Sequence, residues 1–123
     1  MEEWDIQATD EFRQWFNTLD RDTKLQLTDA IDLLAERGPQ LGQPLVDRIE
    51  GSQLHNMKEL RPGSKGNTEI RALFAFDPWR SAILLIGGDK SGKWSSWYRI
   101  AIPQAERLFA EYLKERGKDD SDE

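Results

Sequence analysis

Two alternating stretches near the middle of the chain carry the side chains best suited to chemistry. In Lys58-Glu59-Leu60-Arg61, a strand would place Glu59 and Arg61 on one face and Lys58 and Leu60 on the other. In Glu69-Ile70-Arg71-Ala72-Leu73-Phe74-Ala75-Phe76, Arg71 shares a face with Glu69, Leu73 and Ala75 and is the sole cation of an apolar run. A guanidinium there is costly to desolvate unless it meets a carboxylate or is left open in a concave site to receive phosphate. A cross-strand pair between Arg71 and Glu59 is the structural alternative to an anion site.

Further along, Lys90 and Lys93 stand in Gly87-Gly88-Asp89-Lys90-Ser91-Gly92-Lys93, read as a loop whose backbone amides and cations suit phosphate contact. It is not a P-loop, because the four-residue spacer and the Gly-Lys-Ser/Thr ending are missing, and a mobile surface hairpin is the plainer reading. Trp94, Trp97 and Tyr98 follow at once and are placed to stack on bases, as aromatics do beside cationic grooves. Core packing is the competing role, and for Trp97 the expected one.

His55 is the only imidazole and there is no cysteine. This excludes a paired-histidine mechanism, a two-histidine metal site and any thiolate chemistry. His55 remains either a solvated loop residue or a base. No Ser-His-Asp set, metal-ligand cluster or dinucleotide fingerprint is present, so neither metal nor cofactor is expected. Asp29, Asp32 and Glu36 read as a solvated helix face.

Charge follows the same division. Residues 58–99 hold eight basic side chains, Lys65 among them, against four acidic ones, for +4, whereas residues 1–57 carry −7 and residues 100–123 carry −3. The net charge of −6 therefore hides one cationic surface, of the kind that concentrates phosphates by attraction that salt weakens.

The elements that must position these groups can be read from periodicity. A chain of 123 residues fits one domain, expected over residues 1–117, with a charged, disordered tail at residues 118–123. Trp4, Ile6 and Ala8 alternate as a short strand before Thr9 or Asp10 caps a helix running to about Leu19. Phe12, Trp15, Phe16 and Leu19 share its apolar face. A second helix opens near Asp20 or Asp22 and ends at Gly38-Pro39, burying Leu25, Leu27, Ile31, Leu34 and Ala35, and it pairs antiparallel with the first.

An irregular connection follows, with a short extended piece at Leu45 to Ile49. Then Met57–Arg61, Glu69–Asp77 and Arg80–Gly88 read as three strands of an antiparallel meander. Trp94 to Arg99 reads as a helical turn, and Pro103 as the first turn of a last helix ending near Gly117, with Ala105, Leu108, Phe109, Tyr112 and Leu113 as its stripe. The fold class is thus α+β, a small antiparallel sheet packed against two N-terminal helices and a C-terminal helix. The acidic start and the lack of a long apolar run give no secretory or membrane signal, so the expected location is cytoplasmic.

Taken together, the string from Leu54 to Arg61, the strand Glu69 to Phe76 and the segment Ile83-Leu84-Leu85-Ile86-Gly87-Gly88-Asp89-Lys90 resemble the HigB-type branch of the RelE/ParE toxin superfamily, which extends to phage-derived proteins. The resemblance covers residues 4–117 in element order and is most specific from Leu45 to Lys93. It implies a RelE-like fold and a type II toxin acting as a ribosome-dependent mRNA endonuclease. It also implies a helix-turn-helix, HigA-like antitoxin as partner, with operator DNA reached only through that antitoxin.

On that resemblance the family's basic strand residues fall on Lys58, Arg61 and Arg71, and its lysine loop on Lys90 and Lys93. Glu59 or His55 would be the base, and Lys65 and Trp94 would help to hold RNA. The chain departs from the family at Gly88-Asp89-Lys90-Ser91, where members often carry an aromatic and paired lysines, and in its acidic net charge. Two other readings stay open: a ParE-like gyrase poison without nuclease activity, and an inactive module that binds the antitoxin.

Overall fold

The computed structural model describes residues 3–54, 56–63 and 68–121. Its elements are β1 (Asp5–Ala8), α1 (Asp10–Asn17), α2 (Arg21–Arg37), a 3₁₀ turn (Gly38–Gln40), β2 (Val46–Arg48), β3 (Met57–Leu60), β4 (Ile70–Phe76), β5 (Ser81–Asp89) and α3 (Trp94–Ser121). The strands form one sheet in the order β1-β5-β4-β3-β2. β2 to β5 are antiparallel neighbours, as the short links require, whereas β1 runs parallel to β5. The sheet is therefore mixed rather than purely antiparallel. The excursion from β1 through both helices returns the chain to β5 only after the meander is built.

Both faces of the sheet are covered. On one, Phe12 of α1 and Leu27, Ala30 and Leu34 of α2 pack against Val46, Leu60, Ala72, Phe74, Ala82 and Leu84. On the other, Ala101, Ile102, Ala105, Leu108 and Phe109 of α3 pack against Met57, Leu73, Ala75, Ile83 and Leu85. The alternation Ala72, Leu73, Phe74, Ala75 along β4 feeds the two layers in turn, which is why this central strand is apolar on both sides. Leu25, expected in the core, is 53% exposed; the buried stripe of α2 is Leu27, Ala30 and Leu34 at three- and four-residue spacing.

Local signals account for the helix starts. The Thr9 side chain accepts the Phe12 N–H and the Asp20 side chain accepts the Thr23 N–H, each satisfying a donor that the first turn leaves open. Thr9 has a second task. Leu73 lies opposite Ile86 and Phe74 opposite Leu84, so Leu85 is an extra residue in β5, and the Thr9 hydroxyl donates to the Leu85 carbonyl at 2.7 Å. The start of α1 is thereby fixed to the bulge.

Gly87 and Gly88 belong to β5, not to a loop, and their lack of a side chain is what lets the helices approach. A Cβ on Gly87 would lie 2.1 Å from the Trp15 ring of α1, and one on Gly88 2.3 Å from Trp97 Nε1 of α3. The connection left to the basic loop is Lys90 to Lys93. α3 is a single helix from Trp94, with Pro103 inside it rather than at its start, and it is helical through Ser121, past the expected end at Gly117. Pro103 removes one N–H from the ladder, a loss that the packing of Ala101, Ile102 and Ala105 on either side offsets.

At its far end α3 is tied to the β4–β5 turn. Asp77, with a fully buried side chain, accepts hydrogen bonds from the Trp79 and Ser81 N–H groups, from Tyr112 Oη at 2.6 Å and from Arg116 Nη1 at 3.2 Å. Arg116 also lies over the Trp79 ring, 5.1 Å from its centroid.

Candidate functional site

Glu59 is the centre of the polar site. It lies on β3 facing α3, is 2% exposed, and accepts from Arg61 Nε at 2.8 Å and from Tyr98 Oη at 2.6 Å. A buried carboxylate needs such donors, and here one comes from two residues along its own strand and the other from α3. Arg61 is further tied to Asp47 Oδ2 of β2 at 3.2 Å, which the register explains, since Asp47 pairs directly with Glu59.

Arg71 enters from β4. Leu60 pairs with Ala72, so one further step along the two strands sets Arg71 beside Arg61 on the same face. The structure thus pairs Glu59 with Arg61 and Tyr98 instead of with Arg71. Arg71 Nη1 donates to the Ile70 carbonyl at 2.8 Å, and its Nε is buried with no hydrogen-bond partner among the described residues. Lys90 completes the set from the end of β5. It is 5% exposed, and its Nζ lies 5.1 Å from the centroid of the Tyr98 ring.

Three cations, Arg61, Arg71 and Lys90, therefore converge around one buried carboxylate. Arg61, Lys90 and Glu59 line a concave cavity of about 800 Å³ together with Asp47, Arg48, Glu50, Ile49, Leu54 and Tyr98 among others, and Arg71 stands within electrostatic reach of Lys90 without itself lining it. The electrostatics follow from this crowding. Burial, and then the neighbouring Arg71 charge, pull the Lys90 ammonium below its ordinary value. Burial acts against the Arg61 charge too, but the Glu59 hydrogen bond and the Glu59 and Asp47 charges outweigh it and hold Arg61 above its ordinary value. The backbone hydrogen bond from Arg48 holds Asp47 below the usual carboxylate range.

Tyr98 is pushed up to about 12 by burial and by its hydrogen bond to Glu59. Its phenol consequently stays protonated near neutral pH and acts as a donor. Spectrophotometric titration is expected to show a phenol with a midpoint near pH 12, missing in Tyr98→Phe. The sign for stability is fixed as well: with the folded value above the ordinary 10, the Tyr98 contribution is complete below pH 10 and is lost as pH rises toward 12. A Tyr98 step at the ordinary value would contradict the contact with Glu59.

The structure also separates residues that the sequence grouped. Lys58 lies on the opposite face of β3, where its Nζ sits 5.6 Å from the Phe76 ring centroid, so it cannot share a phosphate with Arg71. Lys58→Ala is expected to leave the activity of the site within about twofold of wild type while Arg61→Ala does not, which side-by-side assays of the two variants would check. Lys93 is exposed and lines a different groove, between α1 and α3, with Trp15, Trp97 and Ile100. His55 and Lys65 lie outside the described residues. Trp94 opens α3, but its side chain lies outside what is described.

Tyr98 and Asp47 are the participants that sequence reasoning did not place in the site. Tyr98 stood in the aromatic trio after the basic loop, but nothing local said that it would reach Glu59. The loop after β2 forms the cavity wall and is held by α3: Glu106 Oε2 accepts from Ser52 Oγ at 2.9 Å and from the Gln53 N–H at 2.6 Å. Among the described residues no cluster of three metal-ligating side chains occurs, and no helix is long and apolar enough to cross a membrane.

Comparison with known proteins agrees with this architecture. Residues 14–110 match the family described as phage-derived protein Gp49-like. The chain is 54% identical over 99 residues to the candidate toxin HigB2 of Mycobacterium tuberculosis, a match spanning 80% of this chain and 49% of HigB2. It is 53% identical over 100 residues to the candidate toxin HigB3 of the same organism, spanning 81% of this chain and 85% of HigB3. The chain thus spans about half the length of one curated relative and most of the other.

Among solved structures, a free-state mutant of the E. coli toxin RelE superposes with a TM-score of 0.61 at 11% identity, covering 82% of this chain and 96% of that one. A chain of the M. tuberculosis toxin–antitoxin complex RelBE2 superposes with a TM-score of 0.52 at 19% identity, covering 71% and 98%. At these identities the structural likeness speaks for the fold alone. With the sequence match running through both strands that carry the site, the chain belongs to the Gp49-like, HigB-type family and has a RelE-like fold.

Proposed function

We propose that this chain is the toxin of a type II toxin–antitoxin system and cuts mRNA in the ribosomal A site. The observation that carries the reading is the clustering of Arg61, Arg71 and Lys90 around the buried Glu59, with Arg61 and Lys90 lining the concave cavity. Three cations against Glu59 and Asp47 leave this cluster net positive, which suits a phosphodiester and the charge that develops on it.

In the proposed reaction the message's own 2′-hydroxyl attacks the adjacent phosphorus. The new O2′–P bond forms as the P–O5′ bond breaks, leaving a 2′,3′-cyclic phosphate and a 5′-hydroxyl. Arg71 and Arg61 hold the non-bridging oxygens, the 2′-hydroxyl proton passes to water in the open cavity, and Lys90 steadies the departing O5′ and supplies its proton. Glu59 is closed off by Arg61 and Tyr98, so its part is to organise the cations and not to take the 2′ proton. The ribosome is left to orient the 2′-hydroxyl, and purified protein is expected to cut free RNA little.

The partners under this reading are the ribosome with its message and a helix-turn-helix, HigA-like antitoxin, and the site of action is the cytoplasm. The test is to map transcript 5′ ends after brief induction in cells lacking the antitoxin. Cuts at a fixed phase within translated codons support the reading. Toxicity without cuts overturns it in favour of a gyrase-type poison, and unchanged growth overturns it in favour of a binding module.

A further inference from the structure

The cavity has two unlike ends. Along β3, Arg61 and Glu59 face the cationic end, while Met57, two to four residues back, floors the other end together with Ile49 and Leu54. At a strand rise of about 3.3 Å per residue the two ends are separated by roughly 7–13 Å. A phosphate seated beside Arg61 and Lys90 therefore brings a neighbouring base up against Ile49, Leu54 and the loop that joins them. The wall of that end is the loop of residues 50–54.

That loop has little of its own to hold it. Gly51 has a φ of +87° and lies in open space, and the Leu54 N–H donates to Ser52 Oγ at 3.1 Å. Leu54 packs on the α3-side core and its carbonyl accepts the Met57 N–H, while the polar tip of the loop is held through one carboxylate oxygen, Glu106 Oε2, which receives both Ser52 Oγ and the Gln53 N–H. Glu106 stands two turns beyond Tyr98 on α3. One helix thus sets both the donor to Glu59 and the position of the base-side wall.

On the reading above, we infer that the Ser52–Leu54 wall recognises the base beside the scissile phosphate and that Glu106 is the positioning residue that fixes this wall. Glu106 touches neither the phosphate nor the reacting atoms in this arrangement. Loss of its acceptor should therefore blur which base is accepted before it abolishes cutting. Any uncharged side chain with an oxygen acceptor at the same reach should restore the preference, since both bonds it receives come from neutral donors.

The experiment compares cut-site maps, in cells lacking the antitoxin, for wild type, Glu106→Ala, Glu106→Gln and Ser52→Ala, with thermal melts of the four purified proteins. Expected is a base preference beside the cut that falls by about fivefold or more in Glu106→Ala, the low end of what one good base contact discriminates. Ser52→Ala should show a smaller loss in the same direction, and Glu106→Gln should restore the wild-type preference. Should Glu106→Ala fail to fold, Ser52→Ala carries the test alone. An unchanged base preference in folded Glu106→Ala or Ser52→Ala overturns the inference while leaving the nuclease reading standing. Absence of cuts in the wild type overturns the nuclease reading itself.

Discussion

Arg71→Ala, induced in cells lacking the antitoxin, is expected to leave translated transcripts essentially uncut while folding as the wild type does. Arg71 lies beside Arg61 and within electrostatic reach of Lys90, and its Nε has no protein hydrogen-bond partner among the described residues. A guanidinium so placed adds positive charge beside Lys90 at the edge of the cavity, and removing one such donor from a preorganised site costs about 10²–10³-fold in rate. Because Glu59 is satisfied by Arg61 and Tyr98, the substitution does not orphan a buried carboxylate, so stability should fall little. Full toxicity in a normally folded Arg71→Ala protein would remove Arg71 from the role of phosphate anchor.

Glu59→Ala should act the other way, on the fold as much as on the site. It takes away the one buried carboxylate that Arg61 Nε and Tyr98 Oη share and leaves Arg61, Arg71 and Lys90 crowded without it. Breaking a buried charge arrangement on one side costs roughly 3–5 kcal/mol, and the lower end applies here because Arg61 is still one-third exposed and keeps Asp47. Glu59→Gln, which retains an acceptor for the phenol, should lose clearly less. Urea denaturation of the three proteins decides this. Equal midpoints for wild type and Glu59→Ala would show that the three cations do not need the carboxylate.

Much of this site was legible in the sequence, and the reasons are specific. The period of two from Met57 onward gave β3, β4 and β5 in order, and alternation put Glu59 and Arg61 on one face and Lys58 on the other. Grouping Lys58 with Arg71 set that alternation aside in favour of charge, and the geometry of the sheet wins. The caps Thr9 and Asp20 were readable because capping is a local event.

What the sequence hid is tertiary. Gly87 and Gly88 read both as the end of the strand Arg80–Gly88 and as the start of the glycine-rich loop, and only the two tryptophans that press on them from opposite layers decide for the strand. Pro103 reads as a helix start for the same local reason, yet α3 continues through it because its apolar face is already anchored on the sheet. Tyr98 could not be assigned to Glu59, 39 residues earlier, without knowing how α3 crosses the sheet. Lys93 was separated from Lys90 by nothing visible in sequence; the loop simply delivers Lys93 to the groove between α1 and α3.

The parallel pairing of β1 with β5 sets the order in which the molecule is completed during its own synthesis. Asp5 and Ser81 are 76 positions apart, and the strand that closes the sheet precedes the other four in the chain. It must wait while both helices and the whole meander emerge, a long loop to close and a slow class of contact. Tyr98 and Glu106 come later still, since α3 follows all five strands in the chain. A nascent chain is therefore expected to lack its cavity wall and its phenol until α3 has emerged, so that a partner binding the earlier elements would meet the protein before it is competent to act.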